Sequence, residues 1–299
     1  MDRPLALFYR YFWESKNISW IYTDQIDRLL LSRQAYYGQY GQLPPSLEAK
    51  PQREIDDLLV SAALASESQV DKDMWGWTIR IPMKPWGLFC GVDPEGSVCG
   101  HFSMLAPEAA EDPVGAFVVQ RVLAGSPVRQ TSLIPRDVLA RYLVEQYFDE
   151  SEQVPARIAI IGNEAVMALS SPDADWQSVE SLKEPELLAL FHKLRQQPET
   201  KEAELTVDVN LSDAARRIKQ QFAAMKGQVA GSMVGELKFM HEAVYYYGCR
   251  CSLEQMRQMV GRLPEAHQKE LWQDSDSLEV ECPRCGIKHT ITRSYSNDK

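Results

Sequence analysis

The sequence has no run of about eighteen consecutive apolar residues, which excludes a lone membrane-spanning helix. Near the N-terminus, Arg10 and Glu14 break each apolar stretch that a secretion signal would need, so a cytoplasmic location and no membrane partner are expected. A surplus of positive charge is also missing. The chain has 32 Lys and Arg against 42 Asp and Glu, a net charge of -10, and from His241 onward eight basic residues face nine acidic ones. Phosphate backbones need a basic face, so a nucleic-acid partner is not expected. Gly-rich phosphate loops, nucleophile elbows and His-Glu-x-x-His are absent too, which removes the commonest enzyme signatures.

Cysteine is scarce but unevenly placed. Of six in 299 residues, Cys90 and Cys99 lie in the first half, and Cys249, Cys251, Cys282 and Cys285 gather at the end. In a reducing compartment such clustering points to metal binding or redox chemistry before permanent disulfides.

The expected fold class is α+β. The first seventy residues read as helical: Thr23 or Asp24 caps a segment bearing Ile26, Leu29, Leu30 and Arg33, and a second helix runs from Ser46 to Leu64. From Trp75 to Met104 short apolar runs alternate with turn residues, as antiparallel strands do. Asp93-Pro94-Glu95-Gly96 is a turn. Centred on Pro94-Glu95, it makes Cys90 and Cys99 cross-strand partners, either an accessory disulfide or merely small strand residues. Further strands are expected over Val114–Leu123 and Arg157–Leu169, with helices over Pro135–Tyr147 and Pro185–Leu194.

From Ser212 to Met240 the period is helical again, through Ile218, Phe222, Met225, Val229, Met233, Leu237 and Met240. Gly227, Gly231 and Gly235 each cost this helix roughly 1 kcal/mol relative to Ala. Two readings stand: an amphipathic helix packed on the core, or a metastable one that releases its methionine-rich face. In the second, Met225, Val229, Met233, Leu237 and Met240 form an adaptable sticky surface. The expected division is an α/β core over residues 1–178, a helical linker over 179–240 and a zinc module over 241–299.

Cys249-Arg-Cys251, thirty residues, then Cys282-Pro-Arg-Cys285-Gly supplies two close thiolate pairs, which suits tetrahedral Zn²⁺. Four sulfurs complete the coordination, so His241, His267 and His289 read as surface or packing residues. A purely structural zinc, in a static ribbon that serves as an interaction module, is one reading. The other is redox-active: close thiolates can oxidise, eject the metal and remove the folding energy it provides. A module of about sixty residues has little core to fall back on. A thiol oxidoreductase fits poorly, because the Cys-x-x-Cys lacks a preceding strand and following helix.

Three stretches together resemble the redox-regulated thirty-three-kilodalton heat-shock chaperone family of bacteria. They are the cysteine arrangement with its thirty-residue loop, the segment from Tyr142-Leu143 through Gln146-Tyr147-Phe148 and Ser151-Glu152-Gln153 to Pro155, and the run from Glu236-Leu237 to His241-Glu242. In the family the second is a helix-to-strand signature and the third ends the helical linker. The resemblance implies a holdase that needs no ATP and has no catalytic residue. One Zn²⁺ bound by all four cysteines keeps it inactive. Oxidation to Cys249–Cys251 and Cys282–Cys285 disulfides releases the ion, unfolds the module and exposes apolar surface to unfolded client proteins, commonly in a homodimer. This chain differs in a shorter arm before Cys249 and in the inserted stretch 196–211.

Overall fold

The computed structural model describes residues 3–44, 49–68, 73–107, 112–122, 126–195, 231–273 and 275–293. The chain opens with strands, contrary to the helical reading of its start: β1 (Ala6–Trp13) and β2 (Ile18–Thr23) form a hairpin. A register shift between Arg10 and Tyr11 interrupts the alternation of β1, and β2 is buried at all six positions because both its faces are covered. Neither strand therefore shows the period of two that betrays a half-exposed strand.

Two helices follow, α1 (Ile26–Gly38) and α2 (Ala49–Ser66). The N-terminus of α1 is capped from a distance rather than by Thr23 or Asp24. The Asn163 side-chain oxygen accepts from Asp27 N at 2.7 Å, and the Asn163 carbonyl from Ile26 N at 3.3 Å. Asn163 lies in the turn between β8 (Ala156–Ile161) and β9 (Glu164–Ser170).

The remaining strands of the sheet are β3 (Met74–Arg80), β4 (Trp86–Val92), β5 (Ser97–Met104), β6 (Ala116–Val122), β7 (Arg129–Leu133), β10 (Met233–Val234) and β11 (Leu237–Tyr247). The order across the eleven-stranded sheet is β7-β6-β3-β4-β5-β11-β1-β2-β9-β8, with β10 paired to β11. β11 thus enters the middle, antiparallel to β1 and parallel to the start of β5.

That placement corrects the last part, 231–240, of the helix expected over 212–240, whose residues 212–230 lie outside the described residues. Met225 and Val229 lie outside the described residues. Met233 sits in β10, and Leu237 and Met240 sit in β11. Leu237 is fully buried against the core, whereas Met233 and Met240 are exposed, so the three share no helical face. Gly235 has φ +64, and a Cβ there would stand 2.2 Å from the Leu194 carbonyl oxygen. The glycine is a hairpin requirement rather than a helix weakness. The expected border between residues 240 and 241 falls inside β11, and Glu236–Glu242 is a turn and strand, not a helix end.

Helices α1, α2 and α3 (Ala140–Tyr147) cover one face of the sheet. There Trp75 and Trp77 stack with ring centroids 5.3 Å apart, and Tyr147 meets both edge-on. α4 (Gln177–Glu180) and α5 (Glu184–Arg195) accompany the second apolar cluster, in which Phe191 packs on Tyr11, Trp20 and Tyr22. The Tyr142–Pro155 signature does run from helix to strand: α3 widens into a π-helical turn over Phe148–Glu152, and the chain enters β8 at Ala156. No helix among the described residues is long and apolar enough to cross a membrane.

Between α3 and β8, the Glu145 carboxylate accepts from Ile158 N at 2.5 Å, and burial pushes its pKa up to about 7. The folded chain therefore holds this proton up to about pH 7, whereas the unfolded chain releases it near 4.5. Between those values the folded state binds more protons, so raising the pH lowers stability, by about 3 kcal/mol at most for this group. Glu145→Gln keeps an acceptor for Ile158 and removes the titration. Urea unfolding is expected to show a low-to-neutral pH change in midpoint that is more positive in the variant than in wild type. An equal change in both proteins would show that Glu145 titrates normally.

Candidate metal centre

β11 ends at Tyr247, and Gly248 N donates to the Val98 carbonyl at 2.8 Å, which delivers Cys249 and Cys251 to the end of the sheet. Ser252 then caps α6 (Leu253–Gly261), its hydroxyl accepting from Gln255 N at 3.2 Å, and α7 (Glu265–Trp272) follows. This first-turn acceptor fixes where the helix starts, immediately after the second sulfur. Cys282 and Cys285 occupy the loop between β12 (Ser277–Glu281) and β13 (Lys288–Thr292). That loop closes through Gly286 N to Cys282 O and Cys282 N to Ile287 O, both 2.8 Å.

The four sulfurs lie within 4.8 Å of one another. Cys249 and Cys282 approach to 4.0 Å, and Cys251 and Cys285 to 3.5 Å. A tetrahedron with Zn–S near 2.3 Å has edges of about 3.8 Å, between those two separations. Cys282 and Cys285 are buried, Cys249 and Cys251 half-buried, and all six cysteines are free thiols. Protons alone spread unevenly over the cluster. Cys249 is driven down by hydrogen bonds from Cys251, Cys282, Cys285 and Cys99, and Cys285 is driven up by its contacts with Cys249, Cys251 and Cys282. A divalent cation removes that conflict by taking every sulfur as thiolate. The donor set fits zinc.

His289 is buried against the edge of the Tyr40 ring, His241 Nε2 lies 2.6 Å from a Glu67 carboxylate oxygen, and His267 is exposed. None joins the four-sulfur cluster.

The C-terminal segment is seated on the sheet domain by contacts that the sequence did not reveal. Tyr36 OH donates to Cys249 O at 3.4 Å and touches Cys251 Sγ at 3.6 Å, and Tyr37 OH donates to Cys285 O. Gln42 and Lys288 exchange two hydrogen bonds, at 2.8 and 3.1 Å. Arg250 reaches Glu95 at 2.7 Å and Asp93 at 3.2 Å, and Arg284 reaches Asp93 at 3.7 Å. Asp93 and Glu95 belong to the β4–β5 turn.

The same turn corrects the pairing of Cys90 with Cys99. Gly96, at φ +86, adds a residue to one side of the hairpin, so Cys99 faces Gly91 and Cys90 faces Gly100. Successive strand residues point to opposite faces, which puts the Cys90 and Cys99 side chains on different sides of the sheet. No accessory disulfide joins them in this register.

Together, an α+β sheet domain and a seated four-cysteine module define a protein with a candidate thiolate metal site. The family model described as Hsp33 protein matches residues 108–292, more than half of the chain, and the chain belongs to that family. Among solved structures it is similar to the 33 kDa chaperonin (heat shock protein 33 homolog) of Thermotoga maritima, with a TM-score of 0.57 over 96% of this chain and 94% of that one. Their sequence identity is 13%, so this likeness is one of fold. The search of curated protein sequences gives no match.

Proposed function

We propose that this chaperone is a redox-regulated holdase that works without ATP, is inactive when reduced and is switched on by oxidation of its four-sulfur centre. The observation that carries the reading is the convergence of Cys249, Cys251, Cys282 and Cys285 within 4.8 Å on a segment with little core of its own. That core consists of Met256, Val260, Trp272 and Ile291, with Cys251, Leu278 and Val280 against it.

Bound by these residues, one Zn²⁺ would cross-link α6 to the β12–β13 loop. The half-buried Cys249 and Cys251 give an oxidant access, while Cys282 and Cys285 lie beneath them. Oxidation to Cys249–Cys251 and Cys282–Cys285 removes the thiolates and with them the cross-link. The contacts of Tyr36, Tyr37, Gln42, Asp93 and Glu95 with the module are then lost. Tyr37 and Phe102 become accessible beside Leu43 and Met104, which are already exposed. Unfolding proteins would bind this apolar border together with Met233 and Met240. Since β11 belongs to the sheet, we place the start of the switch module at Gly248.

Zinc release, followed with a chromogenic chelator during peroxide addition at mild heat-shock temperature, tests the proposal when thiol titration and client aggregation are read on the same samples. One zinc leaving as four thiols disappear, with aggregation suppressed in step, is the expected result. Zinc retained with protected thiols and no holdase activity would leave a static ribbon that serves as an interaction module.

A further inference from the structure

Asp93 opens the β4–β5 turn and is almost wholly buried, its side chain 1% exposed. The turn holds it still. Asp93 N donates to Ser97 O and Gly96 N to Asp93 O, both at 2.9 Å, and the Ser97 hydroxyl donates to Asp93 Oδ2 at 2.9 Å. Among the described residues its ion-pair partners both come from the C-terminal segment. Arg250 Nε lies 3.2 Å from Oδ2, and Arg284 Nη2 lies 3.7 Å from Oδ1. Arg250 stands between Cys249 and Cys251, and Arg284 between Cys282 and Cys285. One buried carboxylate therefore takes an arginine from each cysteine motif, each on its own oxygen. Arg284 reaches it across the bare Cα of Gly91, where an added Cβ would stand 2.7 Å from Nη2.

We propose that Asp93 is a latch that holds the C-terminal segment on the sheet domain only while both cysteine motifs, and with them both arginines, are joined. This latch deepens the proposed function and rests on it only in taking release from the seat as activation. The motifs are thirty residues apart, one before α6 and the other between β12 and β13, so a shared metal is what keeps the two arginines side by side. Oδ1 has no hydrogen-bond donor among the described residues, which leaves Arg284 as its counter-charge. When the motifs part, that charge is stranded inside the protein, and a buried carboxylate that loses a partner is costly. Water solvates it only if the segment leaves, so the open form is favoured. The sheet domain thus responds to the sulfurs without touching them through Asp93. Glu95 lacks this discrimination, because it is exposed and meets Arg250 of the first motif alone.

The test uses the full-length, reduced, zinc-loaded chain. Asp93→Asn keeps the shape and an acceptor for Ser97 but removes the charge. Arg284→Met removes the cation of the second motif and leaves the sheet domain's own residues intact, so it decides the matter should Asp93→Asn fail to fold. Both variants are expected to bind one zinc, counted with a chromogenic chelator, and to suppress client aggregation without peroxide. Hydroxyl-radical labelling of the buried Tyr37 is expected to rise by about tenfold, as for the loss of one charge-assisted contact. Arg284→Met strands a charge that Asp93→Asn removes, so the double variant should label Tyr37 less than Arg284→Met alone. Tyr37 still protected in the single variants, additive opening in the double variant, or zinc lost from Asp93→Asn overturns the latch. Tyr37 exposed in both single variants with no aggregation suppressed sinks the switch alone. Wild type that suppresses aggregation after peroxide, with Tyr37 protected in Asp93→Asn, sinks the latch alone.

Discussion

Cys285→Ser is expected to abolish stoichiometric zinc binding and to unfold residues 249–293, while the eleven-stranded sheet stays folded. Cys285 is fully buried, one of its sulfur neighbours is Cys251 at 3.5 Å, and its carbonyl accepts from Tyr37. A hydroxyl is a poor replacement for a thiolate, and three sulfurs hold a structural zinc far more weakly than four. Structural zinc contributes about 10–16 kcal/mol of apparent binding energy in comparable small modules. The four buried side chains Met256, Val260, Trp272 and Ile291 offset only part of that loss at about 1.5–3 kcal/mol each. The seating contacts do not close the gap, since Arg250 is half-exposed and exposed ion pairs each stabilise by at most about 1 kcal/mol.

Hydrogen exchange read by mass spectrometry checks this. Amides of α6, α7, β12 and β13 should lose protection in Cys285→Ser and in chelator-treated wild type alike. β3, β4 and β6, whose core is built from Trp75, Trp77 and Phe117, should not change. Protection retained in the C-terminal segment of both samples would mean that docking on α1 and the hairpin holds the module without metal. Oxidation could not then release it by the route proposed above.

The clustering of the four sulfurs was legible in the sequence because thiolate spacing is written locally. Two short cysteine spacings fix which sulfurs can share an ion, whatever surrounds them. The β3–β5 meander was legible for a similar reason, since its alternation and the Asp93–Gly96 turn are local signals. The N-terminal hairpin was not, because the register shift in β1 and burial of both faces of β2 erase the period of two. β11 was hidden differently. Met233, Leu237 and Met240 fall at spacings of four and three, and only the positive φ at Gly231 and Gly235 shows a hairpin turn instead of a loosened helix. The seat of the module was out of reach altogether, because Asp93 meets Arg250, and Tyr37 meets Cys285, across more than a hundred and fifty residues. Such contacts come from the order of strands in the sheet and leave no periodic trace.

Gly96 is where that order bears on the metal centre. Its φ of +86 already disfavours any side chain, and a Cβ would stand 2.0 Å from the Val244 carbonyl oxygen on β11. The neighbouring bond from Tyr246 N to Gly96 O, at 3.1 Å, is one of the few links between β5 and β11. Gly96→Ala therefore has to push the turn away from β11 at the point where the chain leaves the sheet for Cys249. Backbone strain alone costs about 1–3 kcal/mol, and a clash with backbone cannot relax as one with a flexible side chain can. Gly162→Ala supplies the control, since Gly162 has φ +61 and nothing within 4 Å of its added Cβ. Urea unfolding is expected to show a loss of about 3 kcal/mol or more for Gly96→Ala and about 1 kcal/mol for Gly162→Ala. Zinc affinity, measured by competition with a chelator, should fall only in the Gly96 variant, because only there does the strand beneath Cys249 move. Equal losses in both variants would show that the close approach of β5 to β11 is not real. The seat proposed for the cysteine module would lose its foundation with it.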